Sequence, residues 1–439
     1  MAAEKIFAIV DYEDDYAQPL LLAALQSRLP PEVLVLIKDH SEIPSSTSRV
    51  LQWRQYESID FEGLLANPRT CLANSYIIRK ALIRKHYLSR TISHWLAKHP
   101  KSVLGKHVKP SVEFEVDYAE FLDDALVEAY ELKDSWERNE DNDFSEATEW
   151  WILKPGMSDR GQGVRLFSSE ADLQSIFEEW DPPDSDDEAD EACSSDDAKD
   201  SYENGESDGI LTSQLRHFVA QPYIHPPLLL NVPHPSAKRK FHIRTYVLAV
   251  GALQVYVYRP MLALFAEAMY RWPDEFVTSP NEDLNSHLTN TCLQNGDREG
   301  SVHAFWSLPF SIPALAATKD DWREDVFKQI CTITGEVFEA AARSMSTHFQ
   351  PLPNAFEIFG VDFLVDAEGK VWLLEVNAFP DFQQTGGYLK EVIQGLFGGV
   401  VDVAVLPFFQ AKSAQTLRRD SEPRRMVKVL DIDLGRRAT

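Results

Sequence analysis

The chain has 439 residues, 44% of them hydrophobic and 26% charged, which is the balance of an ordinary soluble globular protein. It is longer than a single hydrophobic core usually fills, so more than one lobe is expected. A net charge of −26 argues against a nucleic-acid partner, and four scattered cysteines (Cys71, Cys193, Cys292, Cys331) form no CxxC pair.

No apolar run approaches the roughly 18 residues of a membrane helix, and Ile6–Val10 is too short for a signal peptide. A cytoplasmic, reducing setting without a membrane is expected. The charge is unevenly spread. Residues 113–149 carry a net of −13 and residues 170–208 a net of −16, so the rest of the chain is close to neutral. Within that remainder, 63–112 holds ten Lys or Arg and no acid.

In chain order, 5–10 reads as a strand, 17–28 as a helix and 33–38 as a second strand. Strand, helix and strand in under 40 residues predict a βαβ unit and a parallel sheet. The spacing of Ile78, Leu82, Ile83, Leu88, Ile92 and Leu96 predicts a helix over 74–98, and Tyr118, Phe121, Leu122, Leu126 and Tyr130 predict another over 117–138. Residues 181–209 are almost free of apolar side chains and read as a disordered acidic insertion. Strands are expected at 217–222, 241–249 and 253–258, a helix at 321–347 and a hairpin at 356–377.

The hairpin carries the strongest local signal. Two apolar strands flank the turn Asp366-Ala-Glu-Gly369. A symmetric turn pairs Val365 with Lys370 and Asp362 with Leu373. Alternation then sets Asp362, Glu375 and Asn377 on one face and Val361, Phe363, Leu374 and Val376 on the other. Two carboxylates and an amide are hard oxygen donors that suit Mg²⁺ in the company of phosphate oxygens, although a half-exposed hairpin would also turn a polar face to water. A second signal is Trp150-Trp-Ile-Leu-Lys-Pro-Gly-Met-Ser-Asp-Arg-Gly-Gln-Gly163, where a strand delivers Lys154 to a glycine-containing loop. Glycines let backbone N–H groups approach phosphate, but such a loop also closes ordinary hairpins, and it is neither a Walker loop nor GxGxxG. Third, Lys240, His242 and Arg244 alternate onto one face of a strand and Arg259 ends the next, either as a solvated face or as a cradle for polyphosphate or carboxylate. Gln221-Pro-Tyr-Ile224 ends a strand in groups able to read an adenine edge.

Taken in order, RKALIRK (79–85), W-I-L-K-P-G…G-Q-G (151–163), Q-P-Y-I (221–224), R-K-F-x-I-R (239–244), Y-R (258–259), H-L-T-N (287–290) and F-G-V-D-F-L-V-D…V-W-L-L-E-V-N (359–377) resemble the ATP-grasp signature of the tubulin–tyrosine ligase family. The resemblance spans about 79–382. It implies an α/β ATP-grasp fold, read here as a small Rossmann-like N-terminal domain (1–110), a central lobe (111–230) and a C-terminal lobe (231–439), with two lobes clamping the nucleotide. It also implies ATP-dependent joining of a carboxylate to an amine through an acyl phosphate, with ATP and Mg²⁺ as cofactors. By similarity, Lys80, Lys154, Lys240, Thr289 and Asn290 bind the nucleotide, Gln221 and Ile224 hold its adenine, and Arg244 and Arg259 serve the reacting phosphoryl group. Asp362, Glu375 and Asn377 match the family's magnesium ligands. One position departs: His242 stands where the family usually has an acidic residue.

The implied partners are a free amino acid and an acidic protein or peptide acceptor, the tubulin C-terminal tail among the candidates. An acidic acceptor has to approach through the acid-free segment and the Lys238–Arg244 strand; Arg79, Arg84, Lys85 and Arg90 lie on the predicted helix, and those of them that face outward form a basic stripe. The alternatives are a nucleotide-binding scaffold without ligation and a ligase acting on a small peptide or metabolite.

Overall fold

The computed structural model describes residues 4–141, 148–156, 162–181, 217–230, 234–273, 284–289, 301–315, 321–385, 389–410 and 425–434. They fall into two compact units, one of residues up to 109, 224–272 and from 283 onward, the other of 110–223 and 273–282. The expected acidic insertion lies outside the described residues from 182 onward.

The first unit opens on β1 (Ile6–Asp11), α1 (Ala17–Arg28), β2 (Leu34–Ile37), β3 (Arg49–Arg54) and β4 (Cys71–Ala73). The strands pair in parallel in the order β2-β1-β3-β4, the arrangement that the early strand-helix-strand pattern calls for. The start of α1 is fixed by the Asp14 carboxylate, which accepts from the amides of Tyr16 and Ala17. The helix predicted over 74–98 begins later and is broken. Here α2 (Lys80–Ile83) and α3 (Lys85–Lys98) are separated by Arg84, whose backbone is extended (φ −100°, ψ 123°). The apolar spacing persists through the break because Ala81, Leu82, Leu88, Ile92 and Trp95 all reach the same core.

The second unit is an antiparallel sheet in the order β5-β8-β6-β7, made of β5 (Val112–Glu115), β6 (Trp151–Pro155), β7 (Arg165–Phe167) and β8 (His217–Pro222). Its core gathers Phe114, Trp151, Phe167, Phe177, Trp180 and Phe218 beneath α4 (Tyr130–Asp141) and α5 (Glu170–Trp180). The helix predicted over 117–138 is instead a 3₁₀ turn (Ala119–Phe121), a single helical turn (Leu122–Ala125) and then α4. Leu126, at ψ 6°, leaves the helical path as its side chain enters the core.

The first unit resumes with β9 (Phe241–Val250), β10 (Gln254–Tyr258), β11 (Leu262–Phe265), β12 (Val302–Ala304), α6 (Trp322–Ser344), β13 (Phe356–Val365), β14 (Val371–Ala378), α7 (Lys390–Val400) and β15 (Met426–Asp431). Strand β9 is the spine of this antiparallel sheet. One edge pairs with β11 along 241–244 and with β10 along 247–250, and the other edge pairs with β13 throughout. Phe241, Ile243, Val247, Val361, Phe363, Val371 and Leu373 line the face packed in one core with Val326, Ile330, Val337 and Phe338 of α6. Tyr246, Leu248, Phe356 and Ile358 lie in another core with α1 and α7. His242, Arg244 and Asp362 alternate with the α6-facing residues and are themselves buried.

Contrary to the expectation that no apolar run approaches membrane-helix length, the described residues include one continuous helical stretch, Lys390–Phe409, that is long and apolar enough to cross a membrane. Ile393, Leu396, Phe397, Val400, Val401, Val405 and Phe409 of that stretch are buried in the core shared with α1. It is packed as a core helix.

Candidate active site

The hairpin β13–β14 does not keep the symmetric register. Its last pair is Val365 with Val371, so the loop is one residue longer than expected. The Asp366 carboxylate explains this. Its Oδ1 accepts from the amides of Glu368 and Lys370 and its Oδ2 accepts from Trp372 Nε1, which draws Lys370 into the turn. Phe363 then faces Leu373, and a bulge between Asp362 and Phe363 makes Asp362 the direct partner of Glu375. The bulge turns Leu374 away from the side expected for it, and it packs with Ile224, Leu364 and Trp372. Asp362, Glu375 and Asn377 do converge. Asn377 Nδ2 lies 3.0 Å from Glu375 Oε1 and 3.4 Å from Asp362 Oδ2.

Each carboxylate faces a cation. Arg244, the β9 register partner of Asp362, donates from Nε to Oδ1 and from Nη2 to Oδ2 at 2.9 Å. Lys85 Nζ lies 3.7 Å from Glu375 Oε2. Among the described residues no group of three or more His, Cys, Asp or Glu side chains could hold a metal ion. The donor chemistry nevertheless fits a hard cation shared with phosphate. A carboxylate offers about four lone-pair sites and Arg244 occupies two of those on Asp362. Asp362, Glu375 and Asn377 would hold Mg²⁺ only with phosphate oxygens completing the shell.

His242 lies beside this set. Its Nδ1 is 2.6 Å from Thr289 Oγ1, and its Nε2 is 3.7 Å from Asp362 Oδ1 with no hydrogen-bond partner among the described residues. Burial lowers the pKa of the imidazole, against the pull of Asp362. An acidic side chain here would stand next to Asp362, and the neutral ring avoids that repulsion. Lys240 and Thr289 are buried in the same unit. Nearby, His287 has its pKa lowered to about 3 by burial and then by Lys240, which suits a positioning role.

The remaining expected residues are placed less uniformly. Ile224 joins the apolar pad with Leu364, Trp372 and Leu374. In the second unit, Lys154 Nζ donates to Gln221 Oε1 at 2.9 Å, and Gln221 Nε2 donates to Ser111 Oγ at 2.7 Å. Gly163 takes φ +71°, while residues 157–161 of the glycine-containing loop, and Asn290, lie outside the described residues.

Lys80 is exposed at the start of α2, and Lys85, five residues on, is the cation beside Glu375. Arg259 is not brought to the set. Its guanidinium pairs with Glu324 and lies 4.3 Å from the Trp306 ring and 4.9 Å from that of Phe327, on the α6 side. Of Arg79, Arg84, Lys85 and Arg90, only Arg90 is exposed, Arg84 and Lys85 being half-buried. Arg79 is buried, with Nε 2.8 Å from Glu357 Oε1 and its guanidinium 3.8 Å from the Tyr56 ring. The Arg79–Glu357 pair escaped the sequence reading because Glu357 sits unmarked in an apolar strand. Lys85 was legible only as one of two lysines in RKALIRK.

Comparison with known proteins bears on the whole arrangement. The family model described as the tubulin-tyrosine ligase family matches residues 70–413. A probable tubulin–tyrosine ligase of Schizosaccharomyces pombe is 46% identical over 93% of this chain and 93% of its own length. A probable tubulin–tyrosine ligase of Saccharomyces cerevisiae is 46% identical over 87% of this chain, which spans only 49% of that protein. The chain is also similar to the crystal structure of the C-terminal domain of K. lactis Pby1, described as an ATP-grasp enzyme interacting with the mRNA decapping enzyme Dcp2. That structure is 37% identical, with a TM-score of 0.68, covering 98% of this chain and 99% of that one. The fold is the α/β ATP-grasp fold that the motifs imply.

Proposed function

Because this chain belongs to the tubulin–tyrosine ligase family, we propose that it is an ATP-dependent carboxylate–amine ligase that adds an amino acid to a protein or peptide acceptor. The observation that carries this reading is the convergence of Asp362, Glu375 and Asn377 beside Arg244 and Lys85 on one face of β9, β13 and β14. ATP transfers its γ-phosphoryl group to a carboxylate, releasing ADP and forming an acyl phosphate, which an amine then attacks with loss of a proton and release of phosphate; Mg²⁺ would supply charge neutralisation for the phosphates. Asp362 and Glu375 would hold the metal, and Asn377 would complete the oxygen set. Arg244 is held by its two bonds to Asp362 and sets positive charge beside the oxygen set, where negative charge would develop. Lys85, beside Glu375, would serve as a counter-charge for phosphate. Leu374, the partly exposed member of the cluster with Ile224, Leu364 and Trp372, would offer the adenine an apolar edge. No side-chain nucleophile is required, since positioning and charge neutralisation do the work.

The test is ATP turnover with a glutamate-rich peptide, tubulin and an amino-acid mixture, with products read by mass. Glu375→Gln keeps the side-chain shape and removes a metal-holding charge, so turnover should fall by orders of magnitude while the fold survives. Normal turnover by this variant refutes the metal assignment. A second reading, assembly without ligation, draws on the Dcp2 contact in the description of the solved relative. ATP binding by the wild type without product from any acceptor would favour it.

A further inference from the structure

The second unit carries a surface that its own packing leaves open. Residues 111–132 contain eight acids and no base. Ala119, Leu122, Leu126, Ala129 and Leu132 point into the core of the unit. The residues between them face outward, and Tyr118, Phe121, Val127 and Tyr130 are 43%, 48%, 57% and 66% exposed. Single exposed apolar side chains need no explanation, but four large ones within thirteen residues do. The Tyr118 and Phe121 rings are 6.3 Å apart and nearly perpendicular. On the same segment, a groove of about 360 Å³ is lined by Ala119, Glu120, Asp123, Glu170, Ala171 and Gln174.

We propose that this face docks a partner polypeptide through a basic, amphipathic segment, with an ammonium or guanidinium in the groove and apolar side chains on the Tyr118–Phe121 pair. Charge complementarity selects the occupant. Three carboxylates line the groove and further acids surround the exposed rings, so an acidic tail, an anionic membrane or a nucleic acid is repelled there. The site is therefore separate from any acidic acceptor of the ligation reaction. Exposed aromatic side chains pay little entropy on binding and bury large areas, which makes them suitable anchors.

The test uses the full chain and a fluorescein-labelled amphipathic peptide of Leu and Lys, with a Leu/Glu peptide as its counterpart, at 150 mM salt. Wild type should bind the Leu/Lys peptide and not the Leu/Glu peptide. Phe121→Ser with Tyr130→Ser keeps every charge and should weaken binding about tenfold or more. Glu120→Gln with Asp123→Asn keeps the rings and should weaken it comparably. The substituted side chains are exposed, so unchanged melting temperatures are expected. If the serine variant binds like wild type, the attraction is only that of a chain of net charge −26, and the proposal falls. It falls equally if wild type ignores the Leu/Lys peptide or prefers RNA or anionic vesicles.

Discussion

Replacing Glu357 by Gln should alter how stability depends on pH. Glu357 is 1% exposed, accepts from the Tyr76 amide at 3.1 Å and lies against Arg79. Burial raises its pKa from 4.5 to about 7, with Arg79 and hydrogen bonds from Tyr76 and Ser75 opposing the rise. The folded protein thus holds a proton that the unfolded chain releases near 4.5, and the folded state binds more protons between those values. Stability contributed by this group is full below 4.5 and is lost as pH rises through 7. At about 1.4 kcal/mol per pH unit, the loss amounts to roughly 3 kcal/mol. Glutamine cannot ionise and has no such slope, and Arg79 keeps its place over Tyr56 and Phe379 in the variant. Urea unfolding of both proteins at pH 5, 6, 7 and 8 should show the variant gaining on wild type by about 2.5 kcal/mol across the series. A difference that stays flat with pH, or that grows toward acid, refutes the reasoning.

Arg244→Leu should destabilise by about 3–5 kcal/mol, because it leaves the Asp362 carboxylate buried without a counter-charge. Adding Asp362→Leu should restore most of the melting temperature without restoring Mg-nucleotide binding, and a double variant as unstable as the single one would contradict that account. Lys85→Ala should raise the nucleotide Kd at least tenfold by calorimetry while Lys80→Ala changes it little, and the reverse order would return the role to Lys80. Arg259→Met keeps an aliphatic stem over Trp306 and Phe327 and loses a half-exposed pair with Glu324. It should cost less than about 1 kcal/mol and leave nucleotide affinity unchanged. A tenfold loss of affinity would bring Arg259 back to the reacting groups.

The long elements were legible in the sequence because burial dictates their composition. Helix α1 matches its expected bounds, and β8, β9, β10 and α6 fall within a few residues of theirs. The misplaced boundaries have local causes that periodicity does not register. Arg84 adopts an extended backbone between two helices whose apolar positions remain in phase, so the 74–98 pattern reads as one helix. The acidic segment reads as a continuous helix for a similar reason, since Leu122, Leu126 and Ala129 reach the same core from a path that uncoils twice. Lys80 and Lys85 are indistinguishable as letters. Which one faces Glu375 is decided by the break at Arg84.

The hairpin shows why the chemistry could be anticipated while its geometry could not. Alternation in the symmetric register gathers Asp362, Glu375 and Asn377, and their common face survives because the two register shifts in the structure add up to two residues. A strictly alternating β14, however, cannot place Leu374 and Glu375 on the same side. The longer Asp366 loop shifts the pairing by one residue, and the bulge at Leu374 shifts it by one more in the same direction, so that Glu375 and Asn377 return to the face of Asp362. Between those two shifts, Trp372 and Leu374 turn toward Ile224 and Leu364 while Glu375 stays opposite Asp362. One unpaired residue therefore sets an apolar pad directly beside a carboxylate pair. A nucleotide needs that combination, since its base is flat and weakly polar while its phosphates require a cation. The price of the arrangement is an interrupted ladder at the centre of the site. The Asp362–Arg244 pair across β9 holds the strand together there. A change that removed the bulge by deleting Leu374 would leave every strand residue paired and still dismantle the site, by taking away the pad's innermost member.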